Sequence, residues 1–341
     1  MGPVRLRRRA DQRASPTQVV SNVFPAQHPL ILLVAGPTAG GKSALALRLA
    51  QQIGAEIVNA DALQLYRDLR ILSARPSPAE MALAPHHLFG VADGADGWSA
   101  GRWLREASAV LDQIAARGRP AIVVGGTGLY FRALTQGLAE APPAPAEVTR
   151  AAEDLFDHAG EAEVRAALRA VDPAAEARIG AGDRQRLTRA LAVARATGRP
   201  LSAWQAETRP ALPAERWRGL VVEPPRPSLY ARCDARLEAM VAGGAAREAA
   251  ALTARGLDPR LPVMKAVGLR ELAAAGTGDG ALEAATRAAK LATRHYAKRQ
   301  LTWFRHQTPD WPRVDAEPGE AQWRQFLALF ADLTAPDARG M

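Results

Sequence analysis

The chain has 341 residues, 48% of them hydrophobic, and a single cysteine, Cys233. That length supplies a proper core for one large or two modest domains, and a lone thiol excludes internal disulfides and cysteine-rich metal sites. A formal net charge of +9 suits a polyanionic partner, while no run approaches the roughly 20 apolar residues of a membrane span, so a cytoplasmic location is expected.

Residues 1–27 carry five arginines before residue 14 with no apolar stretch behind them. They read as a disordered basic arm rather than a secretory signal. The run ILLVA at 31–35 is the first strand, followed by GPTAGGKS and by ALALRLAQQI, whose apolar spacing predicts a helix over 42–53. Gly36, Pro37, Thr38, Ala39, Gly40, Gly41, Lys42 and Ser43 fit the phosphate-binding loop G-x-x-x-x-G-K-[ST] in the strand–turn–helix context it needs. Glycines let backbone amides turn toward phosphate oxygens, the helix N-terminus adds positive potential, Lys42 adds a charge, and the Ser43 hydroxyl suits Mg²⁺.

AEIVNAD at 55–61 predicts a second strand ending at Asp61. A carboxylate there is a metal partner, a general base or a cap for the next helix. His86 and His87 are adjacent, so they point apart, and no carboxylate or cysteine completes a ligand set; a structural role is expected. A helix over 99–117 leads to the strand PAIVV at 120–124 and to GGTGLY at 125–130, which sets Thr127 either at the ligand edge of the sheet or in a plain turn. Strand, helix, strand, helix, strand with these buried runs predicts an α/β fold, a P-loop-like doubly wound parallel sheet whose ligands sit at the strands' carboxyl ends.

EAPPAPAEV at 140–148 breaks that rhythm, and an inserted helical subdomain is expected over 142–205, in which Arg186 and Arg189 either grip phosphates or pair with Asp183. GLVVEPP at 219–225 returns to the sheet, so the core is expected to comprise 28–141 and 206–310, with long helices at 227–255 and 280–306. In the latter, Arg287, Lys290, Arg294, Lys298 and Arg305 fall near one face, no acidic residue interrupts 284–309, and Tyr296, Trp303 and Phe304 interleave. Such a stripe is either a groove for RNA or a basic surface helix with its aromatics turned to the core. The segment 311–341 reads as a loosely packed tail of helix and coil.

In this order, GPTAGGKS, VNADALQLYRDL, APHHL, WSAGRW, VVGGTGLYFRAL, GDRQRLTRAL and AKRQLTWFR resemble the tRNA dimethylallyltransferase family over residues 30–306. The resemblance implies that the P-loop holds the diphosphate of dimethylallyl diphosphate with Mg²⁺, and that N6 of an adenosine beside the anticodon attacks the allylic carbon. It implies Asp61 as the base, Thr38, Lys42 and Thr127 near the reacting groups, and Arg236 on the diphosphate. Toward tRNA it implies Asp61, Ala62, Leu63 and Gln64 at the adenosine; Thr127; Thr149; Gln185, Arg186, Leu187, Thr188 and Arg189; Lys265 to Arg270; and Lys298, Arg299, Gln300, Trp303 and Arg305. The partners are a tRNA anticodon stem-loop and dimethylallyl diphosphate, with no membrane; nothing requires more than a monomer.

The chain departs from the family pattern where D-S-x-Q reads Asp61-Ala62-Leu63-Gln64 and G-T-A-K-P reads Leu72-Ser73-Ala74-Arg75-Pro76, and the arginine before the insertion helix appears as Thr149 or Arg150. Rival readings are a small-molecule P-loop kinase, an isopentenyltransferase acting on free adenine nucleotides, and an RNA-binding regulator without chemistry.

Overall fold

Strands buried on both faces require continuous apolar runs, and such runs form the middle of a six-stranded parallel sheet. The computed structural model describes residues 30–275 and 280–333, so the basic arm expected at 1–27 lies outside the described residues. The strands are β1 (Ile31–Ala35), β2 (Glu56–Asn59), β3 (His86–His87), β4 (Ala121–Gly125), β5 (Trp217–Val222) and β6 (Arg313–Val314), in the order β3-β2-β4-β1-β5-β6. In register, Ala35 stands beside Gly125 on one side and Val221 on the other.

The helices are α1 (Lys42–Ile53), α2 (Pro78–Met81), α3 (Ala100–Ala116), α4 (Gly128–Gln136), α5 (Ala146–Val171), α6 (Pro173–Arg178), α7 (Arg184–Thr197), α8 (Leu201–Ala206), α9 (Arg226–Ala242), α10 (Ala245–Ala254), α11 (Leu269–Ala273), α12 (Ala281–Gln307) and α13 (Glu320–Leu329). Alternation along each strand sends side chains to two different cores. Leu33, Val58, Val123 and Val221 pack with Trp103, Phe131 and Phe304 on one face. Leu32, Val34, Ile122 and Val222 pack with Leu45 and Leu49 of α1 and with Trp323 and Phe326 of α13 on the other. The result is a three-layer α/β/α arrangement with the loops of β1, β2 and β4 at one edge.

Helices α5 to α8 gather about a separate cluster of Val164, Leu168, Leu187 and Leu191. Gly160, at φ 84°, kinks α5. The buried Asp172 carboxylate accepts the Ala175 amide at the start of α6 and the Ser202 amide and hydroxyl in α8, which ties the two short helices together.

Two expectations are corrected. The residues after 310 are not loosely packed: β6 pairs with β5, and α13 buries Trp323 and Phe326 against the sheet. The single helix expected at 227–255 is two, because Gly244 adopts a left-handed φ of 101° at the start of α10. His86 and His87 form an edge strand, too short for a periodicity signal. Among the described residues no helix is long and apolar enough to cross a membrane.

Candidate active site at the carboxyl edge of the sheet

The P-loop leaves β1 by a turn that only glycine fits, since a Cβ on Gly36 would lie 2.5 Å from the Val222 carbonyl oxygen. Gly41, at φ 93°, ends the loop and starts α1. Three side chains from distant segments hold the loop from outside. Arg232 Nε of α9 donates to the Ala39 carbonyl at 2.9 Å. Gln300 Oε1 of α12 accepts the Thr38 amide at 2.9 Å. Gln322 Nε2 of α13 donates to the Gly40 carbonyl at 3.1 Å. These bonds offset the strain at Ala39, whose φ of 60° is left-handed without being glycine.

Lys42 is buried at the base of the loop and donates from Nζ to the Pro37 carbonyl at 3.1 Å. Burial pushes its ammonium down to about 8, opposed by the negative charge of Asp61. The half-buried Arg236 guanidinium is lowered by the same desolvation and is likewise held up by Asp61. A pair of poorly solvated cations beside a glycine-lined loop suits an anion.

Asp61 lies just past the end of β2. Its Oδ1 accepts the Leu63 amide at 3.0 Å, and the Asn59 side chain accepts the Asp61 amide at 2.8 Å. Among the described residues Oδ2 has no hydrogen-bond partner, which leaves one carboxylate oxygen free to take a proton. The neighbouring Ala62 amide donates to Thr127 Oγ1 at 2.9 Å, so the Thr127 hydroxyl stands at the carboxyl edge of the sheet and braces the segment carrying Asp61. The turn carrying Thr127 is glycine-rich because neighbours press on it: a Cβ on Gly128 would lie 2.3 Å from the Trp303 ring.

Lys42, Ser43, Asp61, Gln64, Glu80 and His86 line one cavity. A hydroxyl and a carboxylate are the hard oxygen donors that suit Mg²⁺, which usually keeps substrate phosphates and waters as its other ligands. Among the described residues no group of three or more His, Cys, Asp or Glu is placed to hold a metal ion.

The loop after Asp61 is held by side chains from within it and from α10. Gln64 donates from Nε2 to the Ser73 and Ala74 carbonyls at 3.0 and 3.3 Å, and the Glu248 carboxylate accepts the amides of Arg70, Ile71 and Leu72. Arg75, where the family pattern has lysine, lies against Gly90: a Cβ there would overlap its Nη1 at 1.4 Å. Ala62 and Leu63, next to Asp61, are half-buried.

The basic stripe on α12 is corrected in part. Lys290 pairs with Glu238, Arg294 with Asp234 and Arg305 with Glu223, acidic partners that come from α9 and the end of β5 and are invisible within the helix's own sequence. Phe304 is core, and burial together with the charge of Asp61 pushes the Tyr296 hydroxyl to a higher pKa. What stays open is a groove lined by His295, Lys298, Arg299, Trp303 and His306.

Gln185, Arg186 and Arg189 are exposed on α7, with Arg186 3.3 Å from Asp183. Leu187 is fully buried in the α5–α8 cluster and Thr188 bonds back to the Arg184 carbonyl, so neither side chain meets a ligand. Gln300, also expected at tRNA, is 5% exposed and serves the P-loop. Thr149 is half-buried on α5, and Lys265 and Arg270 are exposed on either side of the turn into α11. His87 Nε2 bonds the buried Glu56 carboxylate at 2.7 Å and His86 Nδ1 faces the Ala84 carbonyl, a structural pair. Cys233 is buried beneath Ala39, and burial pushes its thiol up to about 11.

Sequence reasoning missed Arg232 and Gln322. Arg232 had a signal, standing one helical turn before Arg236 on the same face of α9. Gln322 had none, because its contact spans 282 residues.

An IPP transferase family model matches residues 64–307 and an isopentenyl transferase model matches residues 29–85. A protein of Phenylobacterium zucineum named tRNA dimethylallyltransferase is 61% identical over 306 residues, covering 90% of this chain and 99% of its own length. One of the same name from a Caulobacter strain is 60% identical, covering 84% and 92%. Among solved structures, a eukaryotic dimethylallyltransferase acting on tRNA superposes with a TM-score of 0.76 at 26% identity, covering 89% of this chain and 79% of that one. The tRNA isopentenylpyrophosphate transferase of Bacillus halodurans superposes with a TM-score of 0.61 at 28% identity, covering 89% and 96%. By sequence and fold together, this chain belongs to the IPP transferase family.

Proposed function

We propose that this protein transfers the dimethylallyl group of dimethylallyl diphosphate to N6 of adenosine 37, the base next to the anticodon, in tRNA. The observation that carries the reading is that Asp61, with a free carboxylate oxygen, shares one cavity with Lys42 and Ser43 at the mouth of the P-loop. The names of the relatives supply the dimethylallyl group and tRNA.

In the reaction the allylic C–O bond breaks, an N–C bond forms at N6, diphosphate leaves and one proton goes from N6 to Asp61. The P-loop amides, Lys42 and Arg236 neutralise charge building on the departing diphosphate, which is where preorganised donors do most. Bound Mg²⁺, held through Ser43 and the diphosphate, would stabilise the same leaving charge. Thr127 holds the Ala62 amide and so keeps Asp61 aimed. An adenosine must leave its stack to reach this depth. Exposed Lys298, Arg299, Gln185, Arg186, Arg189, Lys265 and Arg270 would contact the RNA backbone, α5 to α8 would form the tRNA-binding insertion, and the protein would act as a monomer in the cytoplasm.

Incubation of the protein with Mg²⁺, dimethylallyl diphosphate and tRNA, followed by mass spectrometry of the nucleosides, is expected to yield N6-dimethylallyladenosine from the anticodon loop. Activity on AMP with none on tRNA would overturn the reading, and γ-phosphate transfer from ATP would replace it with a kinase.

A further inference from the structure

Gln300 lies inside the catalytic core, with the two ends of its amide on opposite walls of the site. Its Oε1 accepts the Thr38 amide of the P-loop, and its Nε2 donates to the Gly126 carbonyl, in the turn after β4, at 2.9 Å. Neither backbone group has another partner among the described residues. One is a donor and the other an acceptor, so a primary amide satisfies both in one orientation, and neither a carboxylate nor an apolar side chain of the same length does. The approach is close: a Cβ on Gly126 would lie 2.2 Å from Gln300 Nε2. Beyond Gly126 the connection continues through Thr127 Oγ1 to the Ala62 amide, adjacent to Asp61.

We infer that Gln300 is a positioning residue that fixes the P-loop against the Thr127 turn, so that the donor cradle and the base keep one spacing. Its neighbours Lys298 and Arg299 lie exposed on the open groove of the same helix. The inference rests on the donor and acceptor assignments proposed above. It moves Gln300 from the RNA surface to the join between the two substrates.

Two variants test it. Gln300→Glu keeps an acceptor for Thr38 but sets a carboxylate oxygen against the Gly126 carbonyl; Gln300→Met keeps the length and loses both bonds. In each, the KM for dimethylallyl diphosphate is expected to rise by about tenfold or more, with tRNA affinity in the absence of donor held within about twofold, the scale of one or two lost buried hydrogen bonds. Hydrogen exchange at Thr38 and over residues 125–128 is expected to quicken in both variants, and inorganic diphosphate to bind more weakly. A loss of tRNA affinity with the donor KM unchanged, or unaltered exchange at Thr38, would overturn the inference. Exchange reads the bridge without turnover, so a wild-type protein that failed to modify tRNA would refute the proposed function and still leave the bridge to be judged.

Discussion

At the residue scale, Asp61 combines two tasks that a substitution can separate. Oδ1 caps the Leu63 amide and Oδ2 stands free, so Asp61→Asn keeps the local turn while removing the proton acceptor. Its kcat is expected to fall by about 10²-fold or more, with the KM for dimethylallyl diphosphate little changed, as steady-state kinetics would read; full activity would remove Asp61 from the base role. The glycines of the following turn are decided by neighbours rather than by backbone conformation. Gly128→Ala drives a methyl into the Trp303 ring, which lies 2.3 Å from the Cβ position, and should lower the thermal midpoint by several degrees, on the order of 1–3 kcal/mol of overpacking.

At the scale of elements, α13 and α12 carry the lessons. Trp323 of α13 is buried on the sheet, stacks on Phe326 and lies under Arg48 of α1. Trp323→Ala should destabilise by about 3–5 kcal/mol in urea titration. It should also raise the donor KM in the protein that remains folded, because the preceding residue, Gln322, holds Gly40. An unchanged donor KM in that folded fraction would detach α13 from the P-loop. On α12 the cations divide by partner. Neutralising Lys298 with Arg299 should flatten the dependence of tRNA affinity on salt, since counterion release follows phosphate contacts. Arg305→Ala should hardly alter that slope, because its guanidinium is engaged by Glu223. Filter binding across a salt series distinguishes the two, and equal slopes would disprove the division.

For the whole molecule, the net charge of +9 is set against a buried anion at the base of the sheet. Glu56, 2% exposed on β2, takes hydrogen bonds from Arg117 and His87, which hold its carboxyl below the ordinary value of 4.5. A group depressed on folding contributes stability above its unfolded value and loses it as pH falls through the folded one. Glu56→Gln should therefore lower the urea midpoint at pH 7, by about 1–3 kcal/mol, and the gap from wild type should narrow below pH 4.5. A gap that stayed constant from pH 7 to pH 3 would show that the carboxylate charge is not what stabilises this edge of the sheet.

The local part of this protein was determined by sequence alone. Continuous apolar runs set β1, β2, β4 and β5; periodicity set α1 to the residue; the glycine-lysine-serine pattern set the anion cradle, since each depends on neighbours a few positions away. Tertiary structure decided what depends on pairs far apart in the chain. Two-residue strands such as β3 and β6 have no period to read, and β6 exists because β5 offers it an edge. The cations of α12 looked free because their carboxylates lie on α9 and beyond β5. Gln300 sits beside Lys298 and Arg299 in the sequence, yet the helix turns it inward, where burial and two backbone partners, not its neighbours in the chain, define its work.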